Sequence, residues 1–286
     1  VPKHYRIEII ASLVLLFLGF LLPVLLQNLL GGLLIISLGI LHGANDIRIL
    51  SQPNKETNVL QLVLFYLAVV LGGAMAFFFF PTIALLTFIL FSAYHFGEQH
   101  WDHRFSKSNT LLKSTFYFSY GMLILFLLFT FNDAGVKLIV SEITGYEITN
   151  LYSNIVLAIL GSFIGTVLVV ELLTNRLAKE VILKELFTLA VLAIIFSSSS
   201  LIWGFSIYFI LWHSIPSLIE QITFIYGDVK TDSTLKYCKA ALPYWIISLI
   251  GMVVLYLIFS SEKQFYSLFF AFIAAVTFPH AFVMLR

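Results

Sequence analysis

The chain of 286 residues is 60% hydrophobic and only 11% charged, with a mean hydropathy of +1.00, far outside the range of water-soluble globular proteins. A formal net charge of +1 gives no electrostatic ground for binding nucleic acid, and the single cysteine, Cys238, excludes an internal disulfide. The composition is that of an integral membrane protein, because apolar runs of about 20 residues, the length that crosses the hydrocarbon core as a helix, recur from end to end.

In chain order the runs predict ten spans, near 8–27, 29–47, 58–79, 81–98, 112–131, 151–173, 181–198, 201–224, 241–260 and 264–285. They form one all-α, polytopic transmembrane domain over residues 1–286. The first run follows Lys3 and Arg6, as a secretory signal would, but continues into LLPVLLQNLLGG with no A-x-A-like cleavage site, so a retained span is expected. Tight turns are expected at Gln27-Asn28, at Phe80-Pro81 and at SSSS (197–200). The longer links are 48–57, 99–111, 132–150, 174–180 and 225–240, and the weakly apolar stretch 134–149 is expected to lie along the membrane interface. No internal repeat or low-complexity segment stands out.

The basic residues test this segmentation independently, since Lys and Arg favour cytoplasmic loops near span ends. Ten spans put fourteen of the sixteen Lys and Arg on one side and only Lys137 and Lys263 on the other. Both termini are therefore expected in the cytoplasm, with the protein in the plasma (inner) membrane.

The same count aligns four histidines. His42 (LGILHGANDIRIL), His95 (FSAYHFGEQHW), His213 (FILWHSIPSLIEQ) and His280 (AVTFPHAFVML) fall in the second halves of spans two, four, eight and ten, all running inward. An intramembrane imidazole is costly unless partnered, so four at one cytoplasm-proximal depth point to a shared metal, haem or proton path rather than to packing. A metal is the preferred reading, because neutral imidazole is the commonest transition-metal ligand. Asp46 follows His42 by four residues and Glu98 follows His95 by three, so each carboxylate shares a helical face with its histidine and is placed to orient it. Facing the aqueous boundary, or pairing with Arg48 and Arg104, is the alternative for both acids. Gly43 and Gly97 stand close behind their histidines and permit close helix approach, while Pro216 and Pro279 flank the other two. His100 and His103, in the charged stretch EQHWDHR, are expected to be solvated or to support the site from outside, and His4 to be interfacial.

The segments HGAND (42–46), YHFGEQHW (94–101), WHSIPS (212–217) and PHAFV (279–283) resemble, in order and over nearly the whole chain, the motifs of the Brp/Blh family of β-carotene 15,15′-dioxygenases associated with microbial rhodopsins. The resemblance implies a membrane-embedded, non-haem Fe(II) enzyme that splits β-carotene at its central double bond with O2 to give two all-trans-retinal. It implies His42, His95, His213 and His280 as the catalytic iron ligands, and a rhodopsin as a recipient of the product. One position departs: family members often carry a second histidine four residues after that of the WH motif, and here Ser217 stands there. Either His280 is the fourth ligand or the iron is held by fewer imidazoles. The chemistry is compatible with the residues, since a bilayer-dissolved polyene requires lateral access and a long apolar tunnel, and the chain has 29 Phe, 13 Tyr and 4 Trp to line one. Tyr94, Phe96, Trp212 and Phe278, beside or near the histidines, are the candidate substrate contacts, with Trp101 and Tyr208 as further candidates.

Other classes remain as alternatives. A diiron desaturase needs clustered histidine boxes, whereas seven histidines here make one HxxH, at 100–103. A b-type haem protein would use facing histidine pairs as axial ligands, and a Soret band would reveal it. A transporter would carry ionisable groups at several depths along a path. A non-catalytic carotenoid or retinal carrier is the remaining alternative, given Ser217.

Overall fold

The computed structural model describes residues 3–51, 58–105, 109–259 and 265–284, and among these it is all-helical, with no strand. In chain order the helices are α1 (Lys3–Leu21), α2 (Val24–Leu34), α3 (Ile40–Gly43), α4 (Asp46–Ser51), α5 (Val59–Phe79), α6 (Pro81–Trp101), α7 (Thr110–Phe131), α8 (Asp133–Thr144), α9 (Ser153–Leu173), α10 (Lys179–Ser198), α11 (Leu201–Ile207), α12 (Ile215–Tyr226), α13 (Thr231–Phe259) and α14 (Phe265–Met284). Two π-helical turns, Ile35–Gly39 and Tyr208–Ser214, join α2 to α3 and α11 to α12, and the segments Val24–Ser51 and Leu201–Tyr226 are each long and apolar. Seven described helical segments are long and apolar enough to cross a membrane, and the protein is a membrane protein. The three other expected spans overlap the helices α1, α6 and α14, which fall outside those seven. In α6, His95, Glu98, Gln99 and His100 dilute the apolar run.

The described residues pack as two compact units, each assembled from separate stretches of chain: residues up to Ile35 with Ser92–Lys137 and Ile148–His213, and Ile36–Phe91 with Leu138–Glu147 and the residues from Ser214 onward. In the first unit, α1 lies against α10 and α11, α2 against α11, and α7 against α9 and α10. Tryptophans tie it together, Trp203 donating from its indole to the carbonyl of Leu15 (3.2 Å) and Trp212 to Ser12 Oγ (3.0 Å). The α6–α7 crossing is closer than side chains allow: a Cβ on Gly97 would lie 1.8 Å from the Tyr117 carbonyl oxygen, and one on Gly121 1.7 Å from that of Ala93. Backbone therefore touches backbone, the use of glycine familiar from membrane helix pairs.

In the second unit α5 packs on α14 and α4, and α13 on α3 and α12. Phe77, Ala84, Leu85, Ala274 and Phe278 form its buried apolar cluster. Trp245 donates to the carbonyls of Ile36 (3.2 Å) and Ser37 (3.1 Å), groups that the wider winding of the π-helical turn loosens from regular helix bonding.

The turns at Phe80-Pro81 and at the serines are where the sequence places them: α5 is followed directly by Pro81 at the head of α6, and Ser200 caps α11 by accepting from Trp203 N (3.3 Å). The first break lies elsewhere. The chain turns at Leu22-Pro23, not at Gln27-Asn28, because proline lacks the N–H that would continue the helix and holds its predecessor out of the helical region. Gln27 is instead buried inside α2, where its amide donates to the carbonyls of Gly19 (2.9 Å) and Leu22 (3.1 Å) and accepts from Ser200 N (2.8 Å). It serves the carbonyls that the broken helix end leaves behind. The link expected at 225–240 is also shorter: Gly227, at φ +82°, ends α12 in the left-handed conformation, and α13 begins at Thr231. Lys55, Lys107, Lys263 and Arg286, and the side chains of His4 and His103, lie outside the described residues.

Candidate metal centre

Each unit brings two of the four histidines together. In the second, His42 and His280 are both buried and meet edge to face, ring centroids 4.5 Å apart at 87°. His42 follows the π-helical turn and donates from Nδ1 back to the Gly39 carbonyl within it. His280 follows Pro279 in α14 and donates from Nδ1 to both oxygens of Asp46, at 3.0 and 3.1 Å. Tyr66 of α5 donates a third bond to the same carboxylate (3.0 Å). Asp46 thus grips the imidazole 234 residues away, a partner other than the His42 that helical spacing suggested. Gly43 makes room: a Cβ there would stand 3.3 Å from His280 Nδ1 and 3.7 Å from Asp46 Oδ2.

In the first unit, His95 of α6 and His213 of the second π-helical turn are buried with ring centroids 4.8 Å apart at 80°. Phe96 meets the His213 ring edge-on (4.7 Å) and Phe209 stacks on it (5.3 Å, 19°), so that imidazole stands in an aromatic wall. Gln99, one turn beyond His95, donates to the His213 carbonyl (3.1 Å) and fastens α6 to the π-helical turn.

A family model for beta-carotene 15,15'-dioxygenase matches residues 33–285, a stretch containing all four histidine motifs. The chain belongs to this family. Searches of curated proteins and of solved structures return no match.

As a beta-carotene 15,15'-dioxygenase family member, the protein is assigned to carotenoid cleavage chemistry, and the features around its histidines bear on that chemistry. Ser217, where the resemblance implied a second histidine, is fully buried and accepts from Gln221 Nε2 (3.0 Å). Gln221 in turn accepts from Tyr237 (2.6 Å), whose hydroxyl lies 3.3 Å from the carbonyl of His42. A hydrogen-bonded chain therefore runs from Ser217 to the backbone of one histidine. Glu98, half-buried, accepts from the Tyr94 hydroxyl at 3.4 Å. Trp212 is anchored by Ser12 and meets Tyr5 edge-on (6.1 Å), and Phe278 lines an apolar groove.

One cluster escaped the reading of the sequence. Glu185 of α10, almost wholly buried, accepts from His100 Nε2 (2.8 Å), from Arg104 Nη1 (2.9 Å) and from the Tyr120 hydroxyl. Expected in a solvated loop, His100 is instead the last histidine of α6, stacked on Tyr120 with centroids 5.0 Å apart. The signal was an acid inside the expected span 181–198, where a carboxylate persists only if charged donors surround it.

Proposed function

We propose that the protein is a non-haem Fe(II) dioxygenase that cleaves the 15,15′ double bond of β-carotene with O2, giving two all-trans-retinal and so supplying chromophore to a microbial rhodopsin. The reaction balances without a further electron donor: the central C=C breaks and each carbon receives one atom of the same O2. The observation that carries the reading is the pairing of buried imidazoles within a family that acts on β-carotene, His42 with His280 and His95 with His213. The donor set fits iron. Imidazole suits it, and metal-bound histidines ordinarily hand their other N–H to a carboxylate or carbonyl, which is what His280 does with Asp46 and His42 with Gly39. With Nδ1 so engaged, Nε2 is the metal-binding nitrogen of both rings. We assign all four histidines to one iron, on the strength of their common depth in the sequence.

Iron there would supply the activation of O2. The chain's own residues do the rest. Asp46 and Gly39 fix ring orientation, Gln99 fixes the π-helical turn carrying His213, and Phe96 and Phe278 offer aromatic faces to the polyene, while Tyr94 and Trp212 flank the site held by Glu98 and Ser12. The metal site lies toward the cytoplasmic face of the plasma membrane in this reading.

Expression in cells that accumulate β-carotene tests it: the pigment should bleach, retinal should appear, and the purified protein should carry one iron per chain with no Soret band. Alanine at His42, His95, His213 or His280 should abolish cleavage. Full activity of His95→Ala or His213→Ala would end the four-histidine assignment, and two irons per chain would give each pair its own metal.

A further inference from the structure

The N-terminal ends of α1 and α10 meet in the first unit, and a groove of 450 Å³ lies between them. Tyr5 joins the two helices, its hydroxyl donating to the Lys184 carbonyl (3.0 Å) and its ring lying under the Lys184 ammonium, 6.0 Å away. Two kinds of side chain line the groove. Arg6 and Lys184 supply one cation from each helix, while Ile9, Ile10, Leu183 and Phe187 make an apolar trough. Arg6 stands one turn before Ile9 and Ile10, and Lys184 one turn before Phe187. The trough is open at its side, with Ile10 62%, Leu183 54% and Phe187 52% exposed.

The two charges are unmatched within the chain. No carboxylate lines the groove, and neither Arg6 nor Lys184 forms an ion pair among the described residues. Glu185, next to Lys184, is buried and already bonded by His100, Arg104 and Tyr120. Beyond Glu8 in α1 and Glu185 in α10 neither helix carries another charged residue, so the cations stand where the charged helix ends pass into hydrocarbon, the level of lipid headgroups. The ten-span count predicts that end to be cytoplasmic, where the leaflet is anionic. A soluble anion would match the cations and leave the trough bare; a neutral lipid would fill the trough and leave the cations unmatched. We propose that this groove binds an anionic phospholipid, its phosphate against Arg6 and Lys184 and an acyl chain along the trough, as basic pockets between membrane helices do. The site is separate from the histidine pairs and does not depend on the cleavage reading.

Native mass spectrometry of the full chain in detergent, titrated with phosphatidylglycerol or with phosphatidylcholine of the same acyl chains, tests this. The protein should bind phosphatidylglycerol roughly 10- to 30-fold more tightly, each of two basic residues contributing about fivefold at an anionic headgroup. The double variant Arg6→Gln with Lys184→Gln should lose that preference, whereas Arg6→Lys with Lys184→Arg, which keeps both charges, should retain it. Lys230→Gln with Lys236→Gln removes two exposed charges elsewhere and should also retain it. Equal binding of the two lipids by the unmodified chain would overturn the proposal, and so would a preference that survives Arg6→Gln with Lys184→Gln. Complete displacement of phosphatidylglycerol by millimolar inorganic phosphate would overturn it as well, since it would show an anion site that makes no use of the acyl chain.

Discussion

Asp46 collects three hydrogen bonds from two donors, Tyr66 on the next helix and His280 on the last one described. Asparagine at 46 can still accept through one oxygen but turns an NH2 toward the other donor, so one bond is replaced by a donor facing a donor. Asp46→Asn should leave the fold intact and lower iron content or retinal yield by roughly 10- to 100-fold, the usual consequence of losing an outer partner of a metal-bound imidazole. Unchanged iron and unchanged rate would return Asp46 to a packing role. At this scale the histidines were legible because an imidazole in hydrocarbon is expensive and must have a reason. Their partners were not. A helix shows its own i, i+4 neighbours, which suggested His42 for Asp46, whereas the choice of His280 is made by the packing of α4 against α14.

Helix ends and helix crossings show the same division. Asn58 and Asn109 head α5 and α7, each accepting from an amide two residues on (3.0 Å), and such caps can be read from the sequence. The break before α2 was missed because Gln27-Asn28 has the polarity of a turn, while Gln27 is in fact the group that satisfies the real break at Pro23. Glycines after the histidines were recognised as points of close approach, but not how close. Gly97→Ala and Gly121→Ala would drive a methyl group into a carbonyl oxygen of the facing helix, and each should destabilise the protein by about 2 kcal/mol or more as α6 and α7 separate. Thermal melting in detergent reads this directly, with Gly72→Ala, in open space, as the neutral reference. Melting temperatures equal to wild type at 97 and 121 would show that the crossing relaxes at no cost.

For the whole molecule, composition alone gave the membrane class, and the fourteen-to-two distribution of basic residues over ten spans predicts both termini in the cytoplasm. Cys238, in the link the sequence predicts, is a poor reporter because it sits two turns into α13 and is partly buried. Exposed loop positions serve better. In a Cys238→Ala background, Val229→Cys should react with a membrane-impermeant thiol reagent only after cells are opened, and Glu147→Cys should react in intact cells. The reverse pattern would invert the orientation and, with it, the depth assigned to the histidines. What the sequence could not display was how the chain divides: each compact unit is interleaved along the sequence, and no change of composition marks three of the five exchange points, 35–36, 91–92 and 213–214.

Two of those exchange points fall at the π-helical turns beside His42 and His213. A π-helical turn is in effect one residue inserted into an α-helix, and a single residue is worth about 100° of rotation. Everything downstream of Ile35–Gly39 and Tyr208–Ser214 is therefore phased differently from what precedes it. A deletion of one residue from either turn would restore a regular helix of unchanged composition and hydropathy while swinging a histidine about a quarter of a turn off its present bearing. In these two stretches it is the number of residues, not their hydropathy, that sets the bearing of His42 and His213.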